Sequence, residues 1–352
     1  MTEPSDDARS DGPAFDPSIL IDVASDFLFG EEPSLTQADV ARQAGVDEET
    51  AWALWRYLGF PQVDEGKAAF TSADVEAVET VRRLTEMRVI DPEVLPELVR
   101  VMGRTFARLA DWQTRVLLRS LELNEQDEPP LEVLTEVIPM VEHVQGYIWR
   151  RQLMAAASRM AMRSTVSDEG APTMGVGFVD IVGYTSRSRQ LSARELSALV
   201  EWFEGTVSDL VISHGGQVIK TIGDEVLYTL DDPVEAGRLA LELVERSESD
   251  DRFPEVRVGT AYGPVVARLG DVYGSTVNLA ARMTSIARPS RVLVDAELAD
   301  RLREHDVDHR EFRLRRTRRM NVKGFEHVEL WSLKRPRGAE GGDQTDDQGD
   351  GL

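Results

Sequence analysis

The hydrophobic periodicity of the chain changes near Thr173, and that change limits the folds open to it. Between about Ser18 and Met162 apolar residues recur at helical spacing almost throughout. Ile19, Ile21, Val23 and Phe27 begin one apolar face, and Asp16-Pro17 ahead of them is a helix-start signal. In LTQADVARQAGVDEETAWALWRYLGFP, Thr36 is the expected N-cap, and Gly45 marks a break before a second helix. Leu95, Val99, Met102, Phe106 and Leu109 recur at alternating steps of four and three. Asp91-Pro92 breaks the chain before them, so Pro96 fits only in the first turn of that helix. The last helical segment, LEVLTEVIPMVEHVQGYIWRRQLMAAASRMAMRS, runs toward the polar turn SDEGAPT, where a domain boundary is expected.

After Thr173 strands and helices alternate. MGVGFVDIVGY reads as a strand, and SARELSALVEWFEGTVSDLVISHG as a long helix ended by Gly215-Gly216. QVIKTIGDEVLYTL reads as a hairpin turning at Gly223-Asp224, and DPVEAGRLALELVERS as a helix. VRVGTAYGPVVARL is expected to be a strand pair around Gly263-Pro264. A helix (STVNLAARMTSIA), a strand (RVLVD), a helix (AELADRLRE) and two further strands complete the reading. A β-α-β-β-α-β core with additions is a ferredoxin-like α+β arrangement. The expected organisation is a leader at 1–17, an all-helical domain at 18–162, a linker at 163–173, the α+β domain at 174–335 and an acidic tail at 336–352.

With 352 residues, 41% hydrophobic and 29% charged, the chain is long enough for two ordinary cores. The formal net charge of −23 repels nucleic acid and polyphosphates in bulk. Any site for an anionic substrate must therefore concentrate positive charge or metal locally. Zero cysteines removes disulfides, thiolate metal sites and cysteine nucleophiles together. No apolar run approaches the ~20 residues of a membrane span, and the acidic N-terminus is unlike a signal peptide, so a cytoplasmic location is expected.

Two carboxylates occupy unusual positions. Asp180 interrupts the apolar strand GFVDIVGY, and Asp224 lies at the tip of the KTIGDE hairpin. In a ferredoxin-like fold the first strand and this hairpin are adjacent, so both carboxylates can converge on one edge. Hard divalent cations take carboxylate oxygen plus substrate phosphate and need few other protein ligands. Two carboxylates and a backbone carbonyl, here that of Ile181, suffice for a two-metal site acting on a phosphoryl group. The competing reading is a strand-end Asp beside a common Asp-Glu turn.

Taken together, GFVDIVGYTS, GGQVIKTIGDEVL, GTAYGPVVARLGDVYGSTVNLAARM and NVKGF make the chain from Met174 to about Leu333 resemble the class III nucleotidyl cyclase catalytic domain. The four stretches fall in that family's order at plausible separations. The resemblance implies that Asp180 and Asp224 are the two metal-binding aspartates, with the Ile181 carbonyl, for two Mg²⁺ or Mn²⁺ ions. It matches Lys220 to the lysine that reads the adenine ring, and Asp271 to the acid that accepts from the 6-amino group. Asn278 and Arg282, one helical turn apart, match the residues that orient the ribose and stabilise charge at the α-phosphate. Lys323 in NVKGF matches a lysine on the terminal phosphates.

The implied reaction converts ATP to 3′,5′-cyclic AMP and pyrophosphate through in-line attack of the ribose 3′-hydroxyl on the α-phosphorus. Arg282 would stabilise charge that grows in the transition state. No His lies in these motifs, so Asp180, a water or the substrate phosphate remain open as proton acceptors. In the family the aspartates and the Asn/Arg pair of one site come from different subunits, which implies a head-to-tail homodimer with two sites. ARLG runs straight into DVYGS, a shorter arm than many members have.

The stretch from Leu35 superficially resembles a MerR-like helix-turn-helix, but VDEETAWALWRYLGF offers Arg56 alone among several acids. A DNA-reading helix wants Lys and Arg, so a packing module is expected and no nucleic-acid partner. By texture and position this half resembles the helical regulatory domain preceding the cyclase in some actinobacterial enzymes. That resemblance implies pH-responsive control and, in some members, an apolar ligand. His143 lies in the last helical segment, and His214, His305, His309 and His327 in the second half; each is a candidate sensor or a plain surface histidine. A diguanylate cyclase would need a GG[DE]EF turn, which GGQVIKTIGDE lacks. The non-enzyme alternative is a DNA-binding or signalling protein with a degenerate cyclase domain.

Overall fold

The computed structural model describes residues 28–122, 131–164, 172–317, 320–322 and 325–336. The leader at 1–17, the helix start at Asp16-Pro17, the C-terminal tail and Lys323 lie outside them. The chain divides into two compact units, Met1–Met160 and Ala161–Leu352.

Helices dominate the first unit: α1 (Gln37–Ala44), α2 (Glu48–Leu58), α3 (Ser72–Glu86), α4 (Leu95–Glu122) and α5 (Leu131–Ser164), which continues past the unit boundary. Thr36 caps α1 as expected, in a capping box with Asp39, and Gly45 ends it at φ 69°. Asp47 caps α2 by accepting from the Thr50 N–H. Trp55 packs its ring 4.5 Å from that of Phe60 and 4.7 Å from that of Phe70, closing the α1–α2 core. The exposed side of α2 presents Glu48, Glu49 and Arg56, so its field is acidic. None of the described helices is long and apolar enough to cross a membrane.

The second unit follows the ferredoxin-like plan with additions. Its elements are β1 (Thr173–Ile181), α6 (Tyr184–Arg187), α7 (Ala193–Ser213), β2 (Gln217–Ile222), β3 (Glu225–Leu230), α8 (Pro233–Ser249), β4 (Val256–Pro264), β5 (Val266–Arg268) and β6 (Asp271–Tyr273). There follow α9 (Ser275–Ile286), β7 (Val292–Asp295), α10 (Ala296–His305), β8 (Arg313–Arg316), β9 (Met320–Val322), β10 (Phe325–Val328) and β11 (Leu330–Lys334). Seven strands form one sheet in the order β2-β3-β1-β4-β7-β11-β8. The first four make the ferredoxin-like order, with β1 antiparallel to both β3 and β4.

Two details differ from the sequence reading. Gly263-Pro264 is not a turn: β4 runs through it, paired residue for residue with β1, because Pro264 lies at the strand end where no ladder N–H is required. The turn comes at Leu269-Gly270, both with positive φ (54° and 79°), and closes the hairpin of β5 with β6. Four short strands, not two, follow α10, since β9 and β10 pair with each other outside the main sheet.

Alternation along the strands builds two apolar layers. Val179, Ile181, Val226 and Tyr228 join Phe203 and Val207 of α7, Leu239 and Leu243 of α8 and Leu298 of α10. Val176, Phe178, Leu227 and Ala261 face α9 through Val277, Ala280 and Met283. Two glycines permit this packing. A Cβ on Gly177 would lie 2.1 Å from the Tyr228 ring, and one on Gly259 would lie 2.4 Å from the Thr284 nitrogen of α9. Thr284 also donates to the Phe178 carbonyl at 3.2 Å, fixing α9 against β1.

Candidate functional site

The strand register decides what meets Asp180. Across β3, β1 and β4 the directly opposed residues are Glu225, Asp180 and Arg257, all on the α9 side of the sheet. Asp180 is buried, at 8% exposure, at the end of an apolar strand. Arg257 answers it with Nε and Nη2, each 2.6 Å from Oδ2, a charge-assisted arrangement. Burial pushes the Asp180 carboxyl above the usual aspartate range; Arg257 pulls it down, and Asp224 pushes it up again.

Asp224 sits in the turn between β2 and β3, where its carbonyl accepts from the Ile181 N–H at 3.1 Å. That bond pins the turn to the end of β1 and brings the carboxylates of Asp180 and Asp224 within mutual influence. Glu225, half-buried beside them, is pushed to about 7 by burial, then by Asp180 and Asp224. Three carboxyl groups thus gather at this point with one guanidinium bonded to Asp180 alone, and the surplus negative charge suits added cations. Among the described residues no group of three or more His, Cys, Asp and Glu is set to hold a metal ion unaided. A cation at Asp180 and Asp224 would complete its shell from the Ile181 carbonyl, water or substrate oxygen, as Mg²⁺ commonly does.

Lys220 and Asp271 meet as a second pair, Nζ to Oδ2 at 2.6 Å. Burial raises the Asp271 carboxyl, but the bonds from Lys220 and from the Val272 N–H outweigh it and leave its pKa lowered. Asn278 and Arg282 stand exposed one turn apart on α9. Among the described residues neither side chain bonds to the carboxylates of Asp180 and Asp224. Within one chain the eight expected residues therefore form an aspartate cluster, a Lys/Asp pair and an exposed Asn/Arg pair, with Lys323 outside the described residues.

Arg257 and Glu225 were not singled out from the sequence. Arg257 had a readable signal, a charge set between Val256 and Val258 in an apolar strand, the same signal that marked Asp180. Its partner lies 77 residues away, and only the register pairs the two.

Residues 166–335 match the family model described as the adenylate and guanylate cyclase catalytic domain. The chain is 39% identical to an adenylate cyclase of Streptomyces coelicolor, over 85% of this chain and 79% of that protein. It is 35% identical to an adenylate cyclase of Glutamicibacter nicotianae, over 93% of this chain and 86% of that one. A pH-sensitive adenylate cyclase of Mycobacterium tuberculosis is 30% identical over 83% of this chain and 74% of its own length. An α+β sheet of ferredoxin-like order that follows a helical unit in the sequence, the family match over the second half and relatives matched over most of their length agree: the chain belongs to the class III nucleotidyl cyclases, enzymes of the phosphorus-oxygen lyase type, among relatives named adenylate cyclase.

Proposed function

We propose that the chain converts ATP to 3′,5′-cyclic AMP and pyrophosphate at a site shared between two copies of itself. The observation that carries the substrate choice is the Lys220–Asp271 pair, at 2.6 Å. Lys220 offers only donors and ionised Asp271 only acceptors, which together suit a ring-nitrogen acceptor beside an exocyclic amine. Adenine presents that pattern, whereas guanine places a carbonyl where the amine would be. The relatives' names support the same substrate.

Two divalent cations, Mg²⁺ or Mn²⁺, at Asp180, Asp224 and the Ile181 carbonyl would acidify the 3′-hydroxyl and neutralise the leaving polyphosphate. Asp180 and Asp224 would contribute the oxygen ligands, held together where the end of β1 meets the β2–β3 turn. Asn278 orients the ribose, and Arg282 supplies preorganised positive charge for the α-phosphate, a contact of a kind worth roughly 10²–10³ in rate. Lys323 serves the terminal phosphates.

Asn278 and Arg282 are exposed, and among the described residues neither bonds to the carboxylates of Asp180 and Asp224, which supports their service in a partner's site. The reading is a head-to-tail homodimer with two equivalent sites. Control by the helical unit, including a response to pH, is proposed on the resemblance to the pH-sensitive relative. Nothing among the described residues supports an apolar ligand there, and none is proposed.

Mixing two inactive variants tests the shared site. Asp180→Ala and Arg282→Ala chains, combined in equal amounts, regain about a quarter of wild-type activity, because half the dimers hold one intact site. Product identification with ATP and GTP belongs to the same assay. A mixture as inactive as its components rejects the shared site; cyclic GMP as the main product rejects the substrate.

A further inference from the structure

The Arg257 guanidinium spends two donors on one oxygen of Asp180 and a third, Nη1, on the Ser285 carbonyl at 3.1 Å. Ser285 lies in the last turn of α9, and its hydroxyl donates to the Arg282 carbonyl at 2.8 Å. A continuous set of bonds therefore runs from Asp180 through Arg257 and Ser285 to the backbone of Arg282. An arginine does not give up its charge at any pH a protein survives, so this cation stays in place whatever the state of the carboxylates.

We infer that Arg257 is a positioning residue that holds Asp180 Oδ2 before a metal ion binds and competes with the ion for that carboxylate. This inference rests on the metal-site reading of Asp180 and Asp224. The physical argument is competition: two short charge-assisted bonds occupy Oδ2, and a divalent ion draws on the charge of the same carboxylate and is repelled by the guanidinium beside it. Arg257 also orients the buried Asp180 carboxylate, because both of its short bonds reach the same oxygen. When the guanidinium lets go of Asp180, its remaining bond to Ser285 O ties the change to the turn of α9 that carries Arg282.

The test is Mn²⁺ binding to the full-length protein without nucleotide, read from the free-Mn²⁺ paramagnetic resonance signal at about pH 8, well above ordinary carboxylate values. Arg257→Gln removes the competing cation and is expected to tighten Mn²⁺ binding by roughly threefold or more. Arg257→Lys keeps a charge with a single ammonium in place of the fork, and is expected to fall between Gln and wild type. Wild type binding Mn²⁺ as tightly as either folded variant, or more tightly, overturns the inference. If Arg257→Gln does not fold, the comparison of Lys with wild type decides alone. Asp180→Asn in the same titration separates the two readings. If it leaves Mn²⁺ binding unchanged, the metal site itself is wrong; if it abolishes binding while the Arg257 variants match wild type, only the role of Arg257 fails.

Discussion

Lys220 Nζ lies 2.6 Å from Asp271 Oδ2, joining the edge strand β2 to the short strand β6 although 51 residues separate them. Lys220 remains 41% exposed at the side chain and Asp271 26%, so the pair stays open to a ligand. An ion pair this exposed adds little to stability, about 0–1 kcal/mol. It is better placed to read a ligand than to hold the fold.

Lys220→Met is therefore expected to leave the thermal midpoint within about 3 °C of wild type, in keeping with the loss of a surface pair. Activity with ATP is expected to fall about 10²-fold in kcat/KM, and preference for ATP over GTP to narrow, because a recognition bond is lost only for the matching base. Steady-state kinetics with both nucleotides, alongside a melting curve, check this. A collapse in stability with unchanged nucleotide preference would reassign the pair to the fold.

Gly177→Ala is expected to destabilise the catalytic unit by about 3 kcal/mol, since its new methyl would overlap the fully buried Tyr228 ring. Tyr228→Val in the same chain should restore part of the loss by vacating that space. Denaturant titration of the two single variants and the double variant measures the coupling. Additive losses would show that the overlap is relieved elsewhere.

His214 gives the second unit a pH dependence with a definite sign. Its Nδ1 lies 2.6 Å from Glu235 and its Nε2 2.9 Å from Glu242, tying the end of α7 to α8. Burial lowers the imidazole pKa, but the two carboxylates outweigh it and the net shift is upward. A raised folded-state value means the stabilisation is complete below the unfolded value near ~6.5 and is lost as pH rises through the folded one. His214→Gln should thus cost about 1–2 kcal/mol at about pH 5.5 and markedly less at about pH 8.5. Melting curves at both pH values read the difference; an equal loss at both would mean the bridge carries no charge-linked stability.

Pro139 lies inside α5, where its ring removes a backbone donor and crowds the carbonyl of Thr135. Pro139→Ala should strengthen α5, raising helical signal at intermediate temperature by circular dichroism. If α5 transmits control, the same change shifts the pH profile of the full chain, and the wild-type full chain differs in profile from residues 166–352, which lack α5. Superimposable profiles for the full chain and that fragment would remove the regulatory proposal.

The features legible in the amino-acid order are local. Thr36 and Gly45 bound α1, Gly223-Asp224 turns the hairpin and Pro96 lies in the first turn of α4, because caps and turns depend on residues a few positions apart. Asp180 was readable as a candidate for a related reason, since an acid in an apolar strand is anomalous within its own neighbourhood; Asp224, in a common kind of turn, drew its weight from the family resemblance. Tertiary structure alone decided the pairings between distant segments. Whether Gly263-Pro264 turns or continues depends on β1 lying alongside, which no property of those two residues announces. Likewise Arg257 meets Asp180, and Glu225 faces it from the other side, because the register of β3, β1 and β4 sets them in one row. Register is fixed by burying one face of every strand at once, so it belongs to the sheet and not to any single stretch of chain.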